Sequence, residues 1–208
     1  SNTLLNNTCY YNYGSVNYDG NGILLSIGSN DNDLINNTCF ENNATNVNAG
    51  NGISIMFSDN NRLHNNTLYN NTNGIHLYDA DHGNITSNYA HDNRRDGISI
   101  NTMCLDDLIL NNTVFENHLN GISDNSNSNE FTKIINNTIY NHTSQYGIFL
   151  TGRYTIVENN TIHNSNYGIL VANGIYNYTI TNNTIYDNVN LGISIQCDGG
   201  NISNNTIY

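Results

Sequence analysis

The pentapeptide Asn-Asn-Thr-apolar-aromatic recurs along this chain. Copies begin at Asn6, Asn36, Asn65, Asn111, Asn136, Asn159, Asn182 and Asn204, and a degenerate copy, Ser87-Asn88-Tyr89-Ala90-His91, fills the one gap. Counted on the second residue (Asn7, Asn37, Asn66, Asn88, Asn112, Asn137, Asn160, Asn183, Asn205), the spacings are 30, 29, 22, 24, 25, 23, 23 and 22. A unit this short can bury its apolar face only against its neighbours, so a chain built this way has to stack.

Taking the second Asn as position zero, an aliphatic stands three residues earlier in every copy: Leu4, Leu34, Leu63, Ile85, Ile109, Ile134, Val157, Ile180, Ile202. Two residues after zero comes Cys9, Cys39, Leu68, Ala90, Val114, Ile139, Ile162, Ile185 or Ile207. A Gly-Ile pair follows, from Gly22-Ile23 to Gly192-Ile193, usually with another apolar residue two places on, as at Leu25, Ile55 and Ile195. Within each segment the period is two, which specifies strands. Three short strands per turn without hairpin signals describe a parallel coil, each strand pairing with its counterpart one turn later. Asn at zero then sits at a bend, its amide bonded to the same amide in the next coil. A second row of Asn lies five residues on, at Asn12, Asn42, Asn71, Asn93, Asn117 and Asn188. The Gly before each Ile suits either a positive φ or a close backbone approach.

This unit resembles the right-handed parallel β-helix repeat of the pectate-lyase-like superfamily, in its Asn-rich, NosD-like form found on microbial surfaces. The resemblance covers residues 4–208 and implies an all-β, right-handed parallel β-helix (β-solenoid) of about eight to nine coils, one domain over residues 1–208. The scaffold carries lyases, hydrolases, epimerases, adhesins and structural proteins alike, so it does not name an activity. The NosD-like form implies a copper connection, for which the sequence shows no cluster of Met, His and Cys ligands. No cofactor and no metal are expected.

Net charge is −12 with only five Lys and Arg, which speaks against nucleic acid as a partner. No apolar run is long enough for a membrane span, and no signal peptide is visible. Fourteen Asn-x-Ser/Thr sequons permit glycosylation: Asn6, Asn36, Asn43, Asn65, Asn70, Asn84, Asn111, Asn136, Asn141, Asn159, Asn177, Asn182, Asn201 and Asn204. Neighbouring rungs stand about 4.8 Å apart, too close for a glycan on each.

Departures from the repeat are where function is sought. The first two coils carry extra residues, 11–21 and 41–51, expected to form adjacent surface loops, the first Tyr-rich (Tyr10, Tyr11, Tyr13, Tyr18). An aromatic row follows three residues after zero: Tyr10, Phe40, Tyr69, His91, Phe115, Tyr140, His163, Tyr186 and Tyr208. It serves as a stabilising stack, as a stripe for carbohydrate or a partner, or as both. Residues 79–133 hold nine of the seventeen acids and three of the five bases. Asp81, His82, Asp92, Arg94, Arg95 and Asp107 are the residues that would serve an enzyme, placed as one stripe on successive turns. Asp124 stands where the pattern wants an aliphatic and is read as a misfit loop over residues 125–130 rather than a buried acid. Cys9 and Cys39 share one inward position on consecutive coils, within disulfide reach but pointing the same way, so a packed pair of thiols is favoured.

Neither terminus shows a capping helix. Two readings stay open: a piece of a longer solenoid, or chains that stack head to tail through Leu4, Leu5 and Cys9 at one end and Ile193, Ile195, Ile202 and Ile207 at the other. The expected function is an extracellular, non-catalytic structural or adhesive solenoid of a microbial cell surface, partnered by itself or by surface carbohydrate. The alternatives are a carbohydrate-active enzyme (lyase, epimerase or hydrolase) and a carbohydrate-binding module.

Overall fold

The computed structural model describes residues 1–15, 19–45 and 49–208. Among the described residues all the regular elements are short parallel strands, arranged in two nine-stranded sheets, one eight-stranded sheet and one two-stranded ladder. The first sheet runs from Thr3–Leu5 to Asn201–Ser203, the second from Thr8–Tyr10 to Thr206–Ile207. The third runs from Ile23–Ser26 to Leu191–Ile195. Each turn visits the three sheets in that order, and every strand pairs in register with its counterpart one turn on: Leu4 with Leu34, Cys9 with Cys39, Ile23 with Ile53. The β-solenoid expected from the repeat is therefore present, and among the described residues no helix is long and apolar enough to cross a membrane.

The central residue of each three-residue strand points inward. Leu34, Leu63, Ile85, Ile109, Ile134, Val157 and Ile180 stack along the axis and are fully buried, as are Cys39, Leu68, Val114, Ile139 and Ile162 in the second sheet. Branched aliphatics suit this role because they fill a pleated surface at little rotamer cost. In the end coils Leu4, Cys9 and Ile193 are only partly buried, and Leu5, Ile195, Ile202 and Ile207 are exposed.

Between the first and second sheets the chain turns on the Asn pair, and each Asn has its own task. The first, from Asn6 to Asn204, takes φ between 54° and 57°, with Ser87 at 56° in the degenerate copy. Asn tolerates this left-handed region better than other residues with a side chain. The second builds the ladder. Asn88, for example, donates from its backbone N (2.8 Å) and Nδ2 (3.0 Å) to Asn112 Oδ1, while Nδ2 also reaches the Leu63 carbonyl (3.0 Å). The second Asn row forms the same bonds from Asn12 to Asn117; His142 and Ser165 then occupy the slot before Asn188. Two further ladders were not anticipated: Asn2, Asn32 and Asn61 before the first sheet, and Asn73 donating to Asn51, itself donating to Asn21, before the third.

The repeated Gly before Ile owes its place to close approach. A Cβ on Gly74 would lie 2.5 Å from the Gly97 carbonyl oxygen, and one on Gly168 2.4 Å from that of Gly192; neither residue has positive φ. In the first two coils the extra residues add a small paired ladder, Tyr13–Gly14 against Asn43–Ala44. Tyr18 lies outside the described residues. Cys9 and Cys39 sit side by side as free thiols.

Asp124 corrects the sequence reading. It ends its strand, Ile122–Asp124, as expected, but it is a fully buried acid and no part of a loop. Asn129 Nδ2 donates to its Oδ1 (2.7 Å) and Thr155 Oγ1 to its Oδ2 (3.1 Å). Gly152 makes the room, since a Cβ there would meet Asp124 Oδ2 at 2.0 Å. Burial raises the Asp124 pKa to about 6 despite these bonds. Below about pH 6 the group avoids the cost of a buried charge by holding the proton; above it, the two donors offset part of that cost.

Candidate functional site

The aromatic row lies on the outer face of the second sheet as one unbroken stack. Ring centroids from Tyr10 through Phe40, Tyr69, His91, Phe115, Tyr140, His163 and Tyr186 to Tyr208 are 4.7–5.3 Å apart, with interplanar angles of 10° or less. Such offset stacks add to the stability of paired strands. Since the rings lie against one another, the stripe offers mainly edges and phenolic hydroxyls outward.

Beside this ridge, where the chain leaves the second sheet, runs an open groove. One stretch of about 770 Å³ is lined by Asn70, Asp92, Arg94, Glu116, His118 and Asn141 among others, and a second of about 380 Å³ by Tyr11, Tyr13, Glu41, Asn43 and Asn70. Asn70 lines both, so the two stretches adjoin along the axis. Along it runs the residue four after zero, again in the left-handed region with φ of 52–63°: Tyr11, Glu41, Asn70, Asp92, Glu116 and Asn141 line the groove, and Asn164 and Asp187 continue the row beyond it. The ladder residues Asn93 and Asn117 line it from beneath. Arg94 Nη2 donates to Thr72 Oγ1 (2.8 Å), and His91 Nδ1 lies 2.7 Å from Asp92 Oδ2. A hydrogen bond with Glu41 raises the Tyr11 pKa.

The six candidate catalytic residues do not form the single stripe expected of them. Asp92 and Arg94 line the groove. Arg95 lies close enough to His76 on the third sheet to help lower its pKa. Asp81, His82 and Asp107 sit at the other corner, between the third sheet and the first. There Asp107 is fully buried: its Oδ1 accepts from the Gly83 backbone N (2.7 Å), its Oδ2 has no protein partner, and burial pushes its pKa well up. The two groups belong to different corners because the spacing that alternates faces in a strand does not hold through a bend.

A polar cluster on the third sheet went unnoticed in the sequence, although the residue between the two apolar positions of Gly-Ile-x-apolar signals it. Ser54, His76, Ser99 and Ser123 form a row there and are buried. Ser54 Oγ is 3.3 Å from His76 Nδ1, and Asn101 Nδ2 is 2.8 Å from Nε2. With Asn101 donating to Nε2, the ring proton is on Nδ1 and faces the serine, the wrong sense for activating a nucleophile. Ser123 Oγ donates to Asp96 Oδ2 (2.7 Å). Burial, aided by Arg95, lowers the His76 pKa to about 4. The bonds fall into two groups, Ser54–His76–Asn101 and Asp96–Ser99–Ser123–Asn125. Among the described residues no group of three or more His, Cys, Asp or Glu is placed to hold a metal ion.

The sequon residues lie at the surface. Asn65 Nδ2 donates to Asn36 Oδ1 (2.7 Å), so two neighbouring sequons share their amides across one rung.

The chain matches the family described as right-handed β-helix region over residues 1–132 and 120–208. No curated protein sequence gives a significant match. Among solved structures it is similar to the periplasmic alginate epimerase AlgG, with a TM-score of 0.74 and 15% identity over 90% of this chain and 48% of that one. The Dettilon tailspike protein gives 0.72 and 17%, over 85% of this chain and 41% of that one. Pectate lyase Pel9A gives 0.61 and 12%, over 98% and 70%. The chain thus spans less than half of the epimerase and tailspike chains, and likeness at these identities speaks for the fold alone.

Proposed function

The chain belongs to the right-handed β-helix family, and on that premise we propose that it acts as a non-catalytic, adhesive scaffold at an outer microbial surface, holding a saccharide chain along its axis. The groove beside the aromatic ridge carries this reading. It runs in the direction of the coils, is lined by carboxylates, amides, a guanidinium and an imidazole, and lies open to solvent. Polar groups of this kind orient hydroxyl-bearing ligands. The fold is one that an alginate epimerase, a tailspike and a pectate lyase share, which raises carbohydrate as the ligand by analogy only. Sequon glycans and stacking of end coils through Leu5, Ile195, Ile202 and Ile207 are compatible with such a surface role and belong to the same proposal.

An enzyme is the second reading, because Asp92, Glu116, Arg94 and His118 surround one cavity. A panel of polysaccharides, followed in parallel for retention and for new reducing ends or unsaturated products, separates the two. Retention without turnover supports the scaffold; turnover abolished by Glu116→Gln or His118→Ala overturns it in favour of the enzyme.

A further inference from the structure

We propose that the groove selects neutral, hydroxyl-rich glycans and rejects uronates, an inference that rests on the saccharide reading above. The lining is rich in acceptors. Glu41, Asp92 and Glu116 present carboxylates, each able to accept several hydrogen bonds and, when ionised, to donate none. Among the described residues Arg94 is the one guanidinium lining it, and its Nη2 donates to Thr72. These carboxylates favour a ligand that brings donors. Sugar hydroxyls do so, and hydrogen bonds to an ionised acceptor are the stronger kind. A uronate brings a further carboxylate to each residue, into a groove of like sign on a chain of net charge −12.

Two of the chain's left-handed rows flank the second sheet. The row preceding position zero is Asn in eight of nine copies, the residue this conformation favours. The row at the groove instead holds Glu41, Asp92, Glu116 and Asp187 among its eight residues. Asp shares the left-handed tolerance of Asn, so backbone preference covers Asp92 and Asp187 but not Glu41 and Glu116, and the ladder uses none of the four: the buried amides beneath bond to one another and to main-chain carbonyls. His118 and Thr143 complete the lining.

The test is calorimetric titration of the purified chain with a neutral hexasaccharide, one from a β-glucan and one from a mannan, and with a hexauronate. The expected result is binding of at least one neutral oligosaccharide, at least about tenfold tighter than the uronate, weakened roughly tenfold by Glu116→Gln and by Asp92→Asn. Glu158→Gln, on a first-sheet strand away from the groove, leaves binding unchanged. Circular dichroism checks that each variant keeps its strand content. Tighter binding of the uronate, or neutral binding that Glu116→Gln and Asp92→Asn leave intact, overturns the inference while the saccharide reading stands. Binding of no oligosaccharide removes both.

Discussion

Asn37 and Asn66 are joined twice: the backbone N and the Nδ2 of Asn37 both donate to Asn66 Oδ1, at 2.9 and 3.0 Å. Oδ1 of Asn37 accepts the same pair from Asn7. Each amide thus satisfies a bend that would otherwise bury an unpaired N–H at every turn, and this is why Asn, a poor strand former, can fill a buried row.

Removing one rung should therefore cost more than one hydrogen bond. Asn112→Ala leaves the backbone N of Asn88 and one of its two Nδ2 hydrogens without an acceptor, and takes from the Ile85 carbonyl the amide donor it accepts. At about 1–3 kcal/mol per buried unpaired group, partly relieved by relaxation, the loss is about 3 kcal/mol. Asn205→Ala, in the last coil, should cost about a third of that. Urea midpoints measure both; equal effects at the two positions would show that the ladder does not act through burial.

The aromatic stack makes a second stability claim. Phe115→Ala removes two stacked contacts, with His91 at 4.7 Å and with Tyr140 at 5.0 Å. At about 0.5–1.5 kcal/mol per pair beyond area burial, the variant should lose about 1–3 kcal/mol. Phe115→Leu keeps the apolar area and should recover less than half, because the loss lies in the rings. Full recovery by leucine would reduce the stack to simple burial.

The fold was legible because periodicity in residues 4–208 reports directly on stacking, and the inward aliphatics are nearly invariant in type. Two ladders were not, because their slots change chemistry along the axis: Asn2, Asn32 and Asn61 give way to Gly83, Asp107, Thr132 and Thr155. Identity is lost there even though the geometry persists. Rows could be found by register, but which rows share a corner depends on the angles of the bends. That is why Asp81 and Asp92, both on acidic segments, were assigned to one stripe and lie on two corners. Asp124 was misread because its compensation is non-local: Thr155 supplies a donor and Gly152 a space, both in the following coil.

The four thiols should react at two rates. Cys39 and Cys104 are buried, and burial raises both pKa values, which keeps them protonated. Cys9 and Cys197 are partly exposed. Labelling of the folded chain with a maleimide, followed by peptide mass mapping, should show Cys9 and Cys197 modified well before the other two. Early modification of Cys104 would contradict its place under the Asn101 carbonyl, to which its thiol donates.

Asp124 gives the chain an unusual response to pH. Its folded pKa is about 6 against an ordinary 3.8, so the folded state binds the proton more tightly than the unfolded one. The stability this confers is complete below about pH 4 and is lost as pH rises through about 6, a change of roughly 3 kcal/mol for two pKa units. Buried Asp107 acts in the same direction. His76 and His142 act the other way: burial lowers both to about 4, so protonation between about pH 6.5 and 4 destabilises the fold. The raw profile therefore mixes opposing slopes over one window. The difference between the parent and Asp124→Asn separates them, because the histidines are common to both. Relative to the parent, Asp124→Asn should be least favoured near pH 4 and gain stability steadily up to about pH 7, read from urea midpoints at each pH. A difference that stays flat across this range would mean that Asp124 is charged in the folded chain, and its enclosure by Asn129, Thr155 and Gly152 would then need another explanation.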